Sequence, residues 1–176
     1  EIRSGIGRTG KFWGFENYNV IPDIIIAGKG LGGGMPIGAF ISSYKIMNCL
    51  KDAPKLGHIT TFGGHPVIAS AGLATITEIT STNLINETLR KEELIKNKFK
   101  NHPAIKEIRG RGLMLTLLVE SPEIASKIIL NCLEKGLILF WLLFEGSAIR
   151  ITPPLTISDE EINDGCDIIL NELNKL

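Results

Sequence analysis

Apolar positions come as short β-branched runs near the front of the chain and as helical stripes further on. Ile24-Ile25-Ile26-Ala27, entered through Pro22-Asp23 and stopped by Gly28, predicts a strand buried on both faces. Residues 37–42 predict a second short strand, with a glycine-rich loop between the two. A short helix is expected over residues 44–51, followed by a loop over 52–66 that holds two histidines, two prolines and three glycines. Loops of that length inside a compact domain are usually functional. Helical spacing then runs over residues 67–79 and again over 84–99, where Glu87–Lys91 and Glu92–Lys96 are spaced as i,i+4 pairs on an exposed face. His102-Pro103 ends that helix and places a domain boundary near residue 100.

The remaining third has a different grammar. Strands are expected over 105–109 and 113–119, with Arg109-Gly110-Arg111-Gly112 as the tight turn between them. Ser121-Pro122 opens a helix whose stripe is Ile124, Ile128, Ile129, Cys132 and Leu133, closed by Gly136. Two more strands lead to Ser158-Asp159-Glu160-Glu161, a capping box that opens a last helix with Ile162, Cys166, Ile169, Leu170 and Leu173 on one face. The pattern divides the chain into an α/β part over residues 1–100 and a small α+β domain over 101–176.

Composition narrows the function. The 176 residues are 44% hydrophobic, enough to bury a core, and nineteen basic residues balance nineteen acidic ones. With no net positive field, neither nucleic acid nor a membrane surface is an expected partner. The longest apolar run, residues 137–144, falls far short of the ~20 residues that a spanning helix needs. Cys49, Cys132 and Cys166 form no CxxC pair, and the three histidines show neither HxH nor HxxxH spacing, so no metal site is expected. Unpaired cysteines suit a reducing, cytoplasmic setting. The chain opens on Glu1 without an initiator methionine, and a piece of a longer protein is expected.

Lys29 is the sharpest chemical feature. It follows the first strand inside Ala27-Gly28-Lys29-Gly30-Leu31-Gly32-Gly33-Gly34, where its amine emerges at a strand end among bare backbone. In a partly desolvated place such an amine loses proton affinity and attacks carbonyls. The alternative is a solvated loop lysine. A phosphate-cradling P-loop is the other alternative, but Gly30 follows the lysine where the metal requires Ser or Thr.

Five ordered strings carry a resemblance. Gly7-Arg8-Thr9-Gly10, Pro22-Asp23-Ile24, the glycine-rich string around Lys29 on to Met35-Pro36-Ile37-Gly38-Ala39, Thr60-Thr61-Phe62-Gly63-Gly64-His65-Pro66 and Ile149-Arg150-Ile151-Thr152-Pro153-Pro154-Leu155 occur in the order typical of class III aminotransferases. The chain resembles the C-terminal half of such a pyridoxal-phosphate enzyme. The resemblance implies a fold-type I α/β architecture, with the rear part of the large cofactor-binding domain over 1–100 and the small domain over 101–176.

It also implies roles. Lys29 matches the lysine that forms the internal aldimine with pyridoxal 5'-phosphate and shuttles the substrate proton. Thr61 matches the threonine that reaches the cofactor phosphate of the neighbouring subunit, which implies a homodimer with shared sites. Arg150 matches the arginine that clamps a substrate carboxylate. Arg3 stands where the family usually has glutamine against the cofactor's 3′ oxygen, and a permanent charge there favours the phenolate. His65 replaces a common asparagine and reads as a helix cap, and His58 reads as structural. Trp141 reads as core or domain interface. The apolar run 140–144 is a candidate entrance for an aliphatic amine donor such as lysine or 4-aminobutyrate.

The implied reaction moves an amino group from an amino acid or ω-amine to an oxo acid, with 2-oxoglutarate the expected acceptor. Two alternatives stay open: an aminomutase of the glutamate-1-semialdehyde type, and a non-catalytic half. The family aspartate for the pyridinium nitrogen precedes the position of Glu1, so the complete site needs residues beyond this sequence.

Overall fold

The computed structural model describes residues 1–55 and 57–176. Residue 56, inside the expected loop, lies outside the described residues. The chain forms two compact units, Glu1–Asn83 and Leu84–Leu176. The division comes before the helix Leu84–Phe99 and not after it near residue 100, because that helix buries Ile95 and Phe99 in the core of the second unit.

In the first unit the chain starts as a compact knot. The Glu1 carboxylate accepts hydrogen bonds from the N–H of Gly14 at 2.7 Å, the N–H of Phe15 at 3.0 Å and the hydroxyl of Ser4 at 2.9 Å. Partial burial pushes that carboxyl upward, yet the N–H of Gly14, the Ser4 hydroxyl and the N–H of Phe15 outweigh it and hold it below its ordinary value. Strand β1 (Ile24–Gly28) then pairs antiparallel with β2 (Gly38–Ser42), Ile26 opposite Phe40 and Gly28 opposite Gly38. A short helix α1 (Tyr44–Met47) is capped by Ser43, and α2 (Pro66–Ser81) closes the unit. β1 is not buried on both faces as expected: Ile24 and Ile26 are about half exposed, since the two-stranded ribbon carries no layer over that face among the described residues.

The second unit is a four-stranded antiparallel sheet with helices packed on it. Helix α3 (Leu84–Phe99) precedes β3 (Glu107–Arg111) and β4 (Met114–Leu118). Then come α4 (Pro122–Glu134), β5 (Phe140–Trp141), β6 (Ala148–Ile151) and α5 (Asp159–Leu173). The strand order is β3-β4-β6-β5. Both expected caps form: Ser121 accepts from Ile124, and Ser158 and Glu161 make the reciprocal box. Leu115, Leu117 and Ile149 from the sheet meet Ile128, Ile129, Ile162 and Ile169 from α4 and α5 in the buried core.

Two local expectations give way here. Arg109 and Arg111 lie within β3, and the turn falls after them. The glycine between them, at φ 113°, is needed because a Cβ would sit 2.0 Å from the carbonyl oxygen of Met114. The pairs of α3 are not an exposed array. Glu87 bonds Arg90, while Lys91 and Glu92 are buried, where Lys91 donates to the Leu155 carbonyl at 2.7 Å and Glu92 takes the Gly112 N–H besides Lys96. Burial pushes the thiols of Cys132 and Cys166 up to about 11 and about 12.

Glu172, only 3% exposed, ties α5 to α4 by accepting from Lys135, Lys175 and Asn131. The Lys135 ammonium, then Lys175 and Asn131, pull its carboxyl down to about 2. An unfolded glutamate titrates near ~4.3, so this carboxylate contributes stability above that pH and loses it as pH falls through about 2. Glu172→Gln is expected to melt at a lower temperature than wild type at pH 6. The gap should close as melts are repeated toward pH 2, and a gap independent of pH would overturn this.

Candidate functional site

Lys29 directly follows β1 and opens a 3-10 turn, Lys29–Gly32. Its backbone lies in the left-handed region at φ 46°, a conformation that costs a non-glycine residue about 1–2 kcal/mol. The turn is held from behind by α2. Gly33, at φ 55°, could not carry a side chain there, because a Cβ would stand 2.2 Å from the hydroxyl oxygen of Thr75. The amine is thereby presented at a fixed strand end.

A cavity of about 900 Å³ opens beside it, lined by Lys29, Ile2, Ile26, Phe40, His58 and Thr60 among others. Alternation along β1 puts Ile24 and Ile26 on the same face, with Phe40 across the ladder from Ile26, so this wall follows from the strand register. Lys29 is exposed and not in the water-poor place expected, for the same reason that Ile24 and Ile26 are exposed.

Thr61 is exposed and lies outside the lining, and its neighbour Thr60 takes that place. Arg3 is also exposed and outside it. Burial, and then the charge of Arg3, lowers Arg8 below the ordinary arginine value, so two guanidinium groups lie within electrostatic reach at the front of the unit. His65 caps α2, its Nδ1 accepting from the N–H of Val67 at 3.3 Å. His58, expected to be structural, and Thr60, known only as the neighbour of Thr61 in its string, both line the cavity. Neither placement follows from loop membership, which does not say which side chains border a cavity.

Arg150 belongs to the second unit. It is half-buried in β6, directly opposite Phe140 of β5, with its Cζ 4.9 Å from the centre of the Phe140 ring. Both line a second cavity of about 300 Å³, together with Thr152, Ile162, Glu161 and Cys166. Trp141 is outside this lining: its ring meets the Phe140 ring edge to face, and its Nε1 donates to the Ser126 hydroxyl of α4 at 2.9 Å. Of the apolar run 140–144, Phe140 is therefore the residue at this cavity.

One unit thus carries an exposed primary amine at Lys29, and the other a half-buried guanidinium at Arg150. Among the described residues, no group of three or more His, Cys, Asp or Glu side chains is placed to hold a metal ion, and no helix is long and apolar enough to cross a membrane.

The chain is similar to proteins of known kind. The model of the family described as aminotransferase class-III matches residues 1–173. An acetylornithine aminotransferase of Caldanaerobacter subterraneus is 39% identical over 100% of this chain and 44% of its own length. A leucine/methionine racemase of Thermococcus litoralis is 40% identical over 95% of this chain and 39% of its own. Among solved structures, the ornithine aminotransferase of Toxoplasma gondii, in which PLP partly occupies the active site, superposes with a TM-score of 0.89 at 30% identity, covering 99% of this chain and 42% of that one. The chain thus spans less than half the length of the relatives it matches.

Proposed function

The chain belongs to the class III aminotransferases, and on that basis we propose that it is the cofactor-tethering and carboxylate-binding part of an enzyme that moves an amino group from an amino donor to an oxo acid. The observation that carries this reading is Lys29, an amine at a strand end, on a strained turn, beside a cavity of about 900 Å³.

The residues present fit the amine and phosphate requirements of pyridoxal phosphate. Lys29 supplies a primary amine for its aldehyde, and Thr60 and Thr61, with the glycines before α2, supply donors suited to a phosphate. When bound, the cofactor supplies the electron sink that makes a donor Cα–H acidic. In our reading Lys29 Nζ tethers the cofactor and then carries the Cα proton. Thr61 serves the phosphate of a second subunit in a cytoplasmic homodimer, and Arg3 donates to the 3′ oxygen. Arg150 holds a carboxylate of the donor and of the acceptor, for which 2-oxoglutarate is the candidate.

A second reading has a specific observation behind it. The racemase relative is as similar as the aminotransferase relative, and the wall around Arg150 is apolar. The two are separated by supplying the full-length protein with an L-amino acid, with and without 2-oxoglutarate. Amino transfer predicts glutamate formation that depends on the acceptor. Loss of optical rotation without any acceptor, and no glutamate with it, would replace transfer by racemisation.

A further inference from the structure

We propose that Phe140 is a positioning residue for substrate carboxylates, acting through Arg150. The proposal rests on the reading of Arg150 as the carboxylate fork and adds the device that aims it. β5 has only two residues, Phe140 opposite Arg150 and Trp141 opposite Ile149 in the ladder, and their rings meet edge to face with centres 6.4 Å apart. Trp141 is fastened by its hydrogen bond to Ser126, which fixes the strand against α4. Phe140, backed by the Trp141 ring, lies opposite Arg150 in the ladder, with the guanidinium carbon 4.9 Å from its ring centre.

A guanidinium is planar, and its donors lie in its own plane. An aromatic ring at this distance attracts the cation through its quadrupole and limits where the fork's plane can lie. Arg150 has three side-chain torsions beyond Cβ that an aliphatic neighbour would leave to sample several rotamers, so the ring removes freedom that binding would otherwise have to remove. Phe140 and Arg150 line one cavity, so the ring also forms the wall along which the first carbons beyond the carboxylate must lie. Phe140 itself forms no bond with the anion. Its effect is confined to how well Arg150 is held.

The test uses the full-length protein and glutarate, a dicarboxylate without an amino group, titrated by calorimetry into wild type, Phe140→Tyr, Phe140→Leu and Arg150→Gln. Loss of the ring in Phe140→Leu is expected to weaken binding about three- to tenfold, whereas Phe140→Tyr, which keeps a ring, should stay within about twofold of wild type. In turnover with a carboxylate-bearing donor, the change in the leucine variant should fall on KM and not on kcat. Equal affinities for the leucine and tyrosine variants, with Arg150→Gln weakened, would overturn the positioning role and leave the fork intact. An undiminished affinity in Arg150→Gln would instead overturn the reading of the fork itself. Melting curves accompany each titration, and Phe140→Met replaces the leucine variant if that one does not fold.

Discussion

Lys29→Ala is expected to lower kcat/KM for amino transfer by about 10³-fold or more, the range associated with removing a group that performs proton transfer at the reacting centre. The loss should be selective. Lys29 is exposed and makes no contribution to either buried core, so its truncation should leave the thermal transition in place. After incubation with pyridoxal phosphate and reduction by borohydride, wild type should carry the cofactor's added mass on the peptide containing Lys29. The alanine variant should carry none at that peptide. An alanine variant that keeps its rate within about tenfold of wild type would remove Lys29 from the chemistry. A pyridoxyl mass found in wild type on Lys11 or Lys45 instead would move the tether elsewhere.

Leu117→Ala is expected to destabilise the second unit by about 2–5 kcal/mol, with a fall of the melting temperature on the order of 10 °C or more. Leu117 is 0% exposed. It sits in β4, which is paired on both sides, opposite Ile108 on one strand and Ile149 on the other. Deleting its isobutyl group removes contact area and leaves a void that neighbours fixed by ladder hydrogen bonds cannot fill. The contrast is Leu130→Ala on the outer face of α4. Leu130 is 51% exposed, and its loss should cost no more than about 0.5 kcal/mol. Calorimetric unfolding of both variants checks the pair, and similar transitions for the two would contradict the core assigned here. Because Ile149 precedes Arg150 in β6, the leucine variant should also loosen the strand that carries the fork.

What the sequence revealed follows the range over which each rule acts. Ser121 and the pair Ser158 and Glu161 form the caps expected of them, because a cap is decided within four residues. The cap of α2 at His65 is legible for the same reason, with the helix beginning one residue earlier than expected, at Pro66. Burial is a different matter. Lys91 and Glu92 satisfy an i,i+4 rule written for exposed faces, yet the Leu155 carbonyl and the Gly112 N–H, far along the chain, draw them inward. Ile24 and Ile26 have the composition of a doubly covered strand, and composition does not supply the covering layers.

The candidate site divides along the same line. Lys29 and Arg150 stand out from their neighbours in sequence. Thr60, His58 and Phe140 fall within segments the sequence flagged, but which residue of each segment borders a cavity depends on where the backbone takes it. For Phe140 that depends on the register of a hairpin, in which one residue of slip would have brought Trp141 opposite Arg150 instead.

The left-handed backbone at Lys29 has a bearing on mutational drift. Stability alone favours glycine at a position with φ 46°, since glycine adopts it at no steric cost. A lineage released from the need for an amine would gain folding free energy by drifting away from lysine, and the flanking Gly28 and Gly30 show how readily this stretch accommodates glycine. Among descendants of such a chain, therefore, glycine at position 29 would date the loss of the chemistry, and a lysine held there marks lineages in which the amine still outweighs the strain.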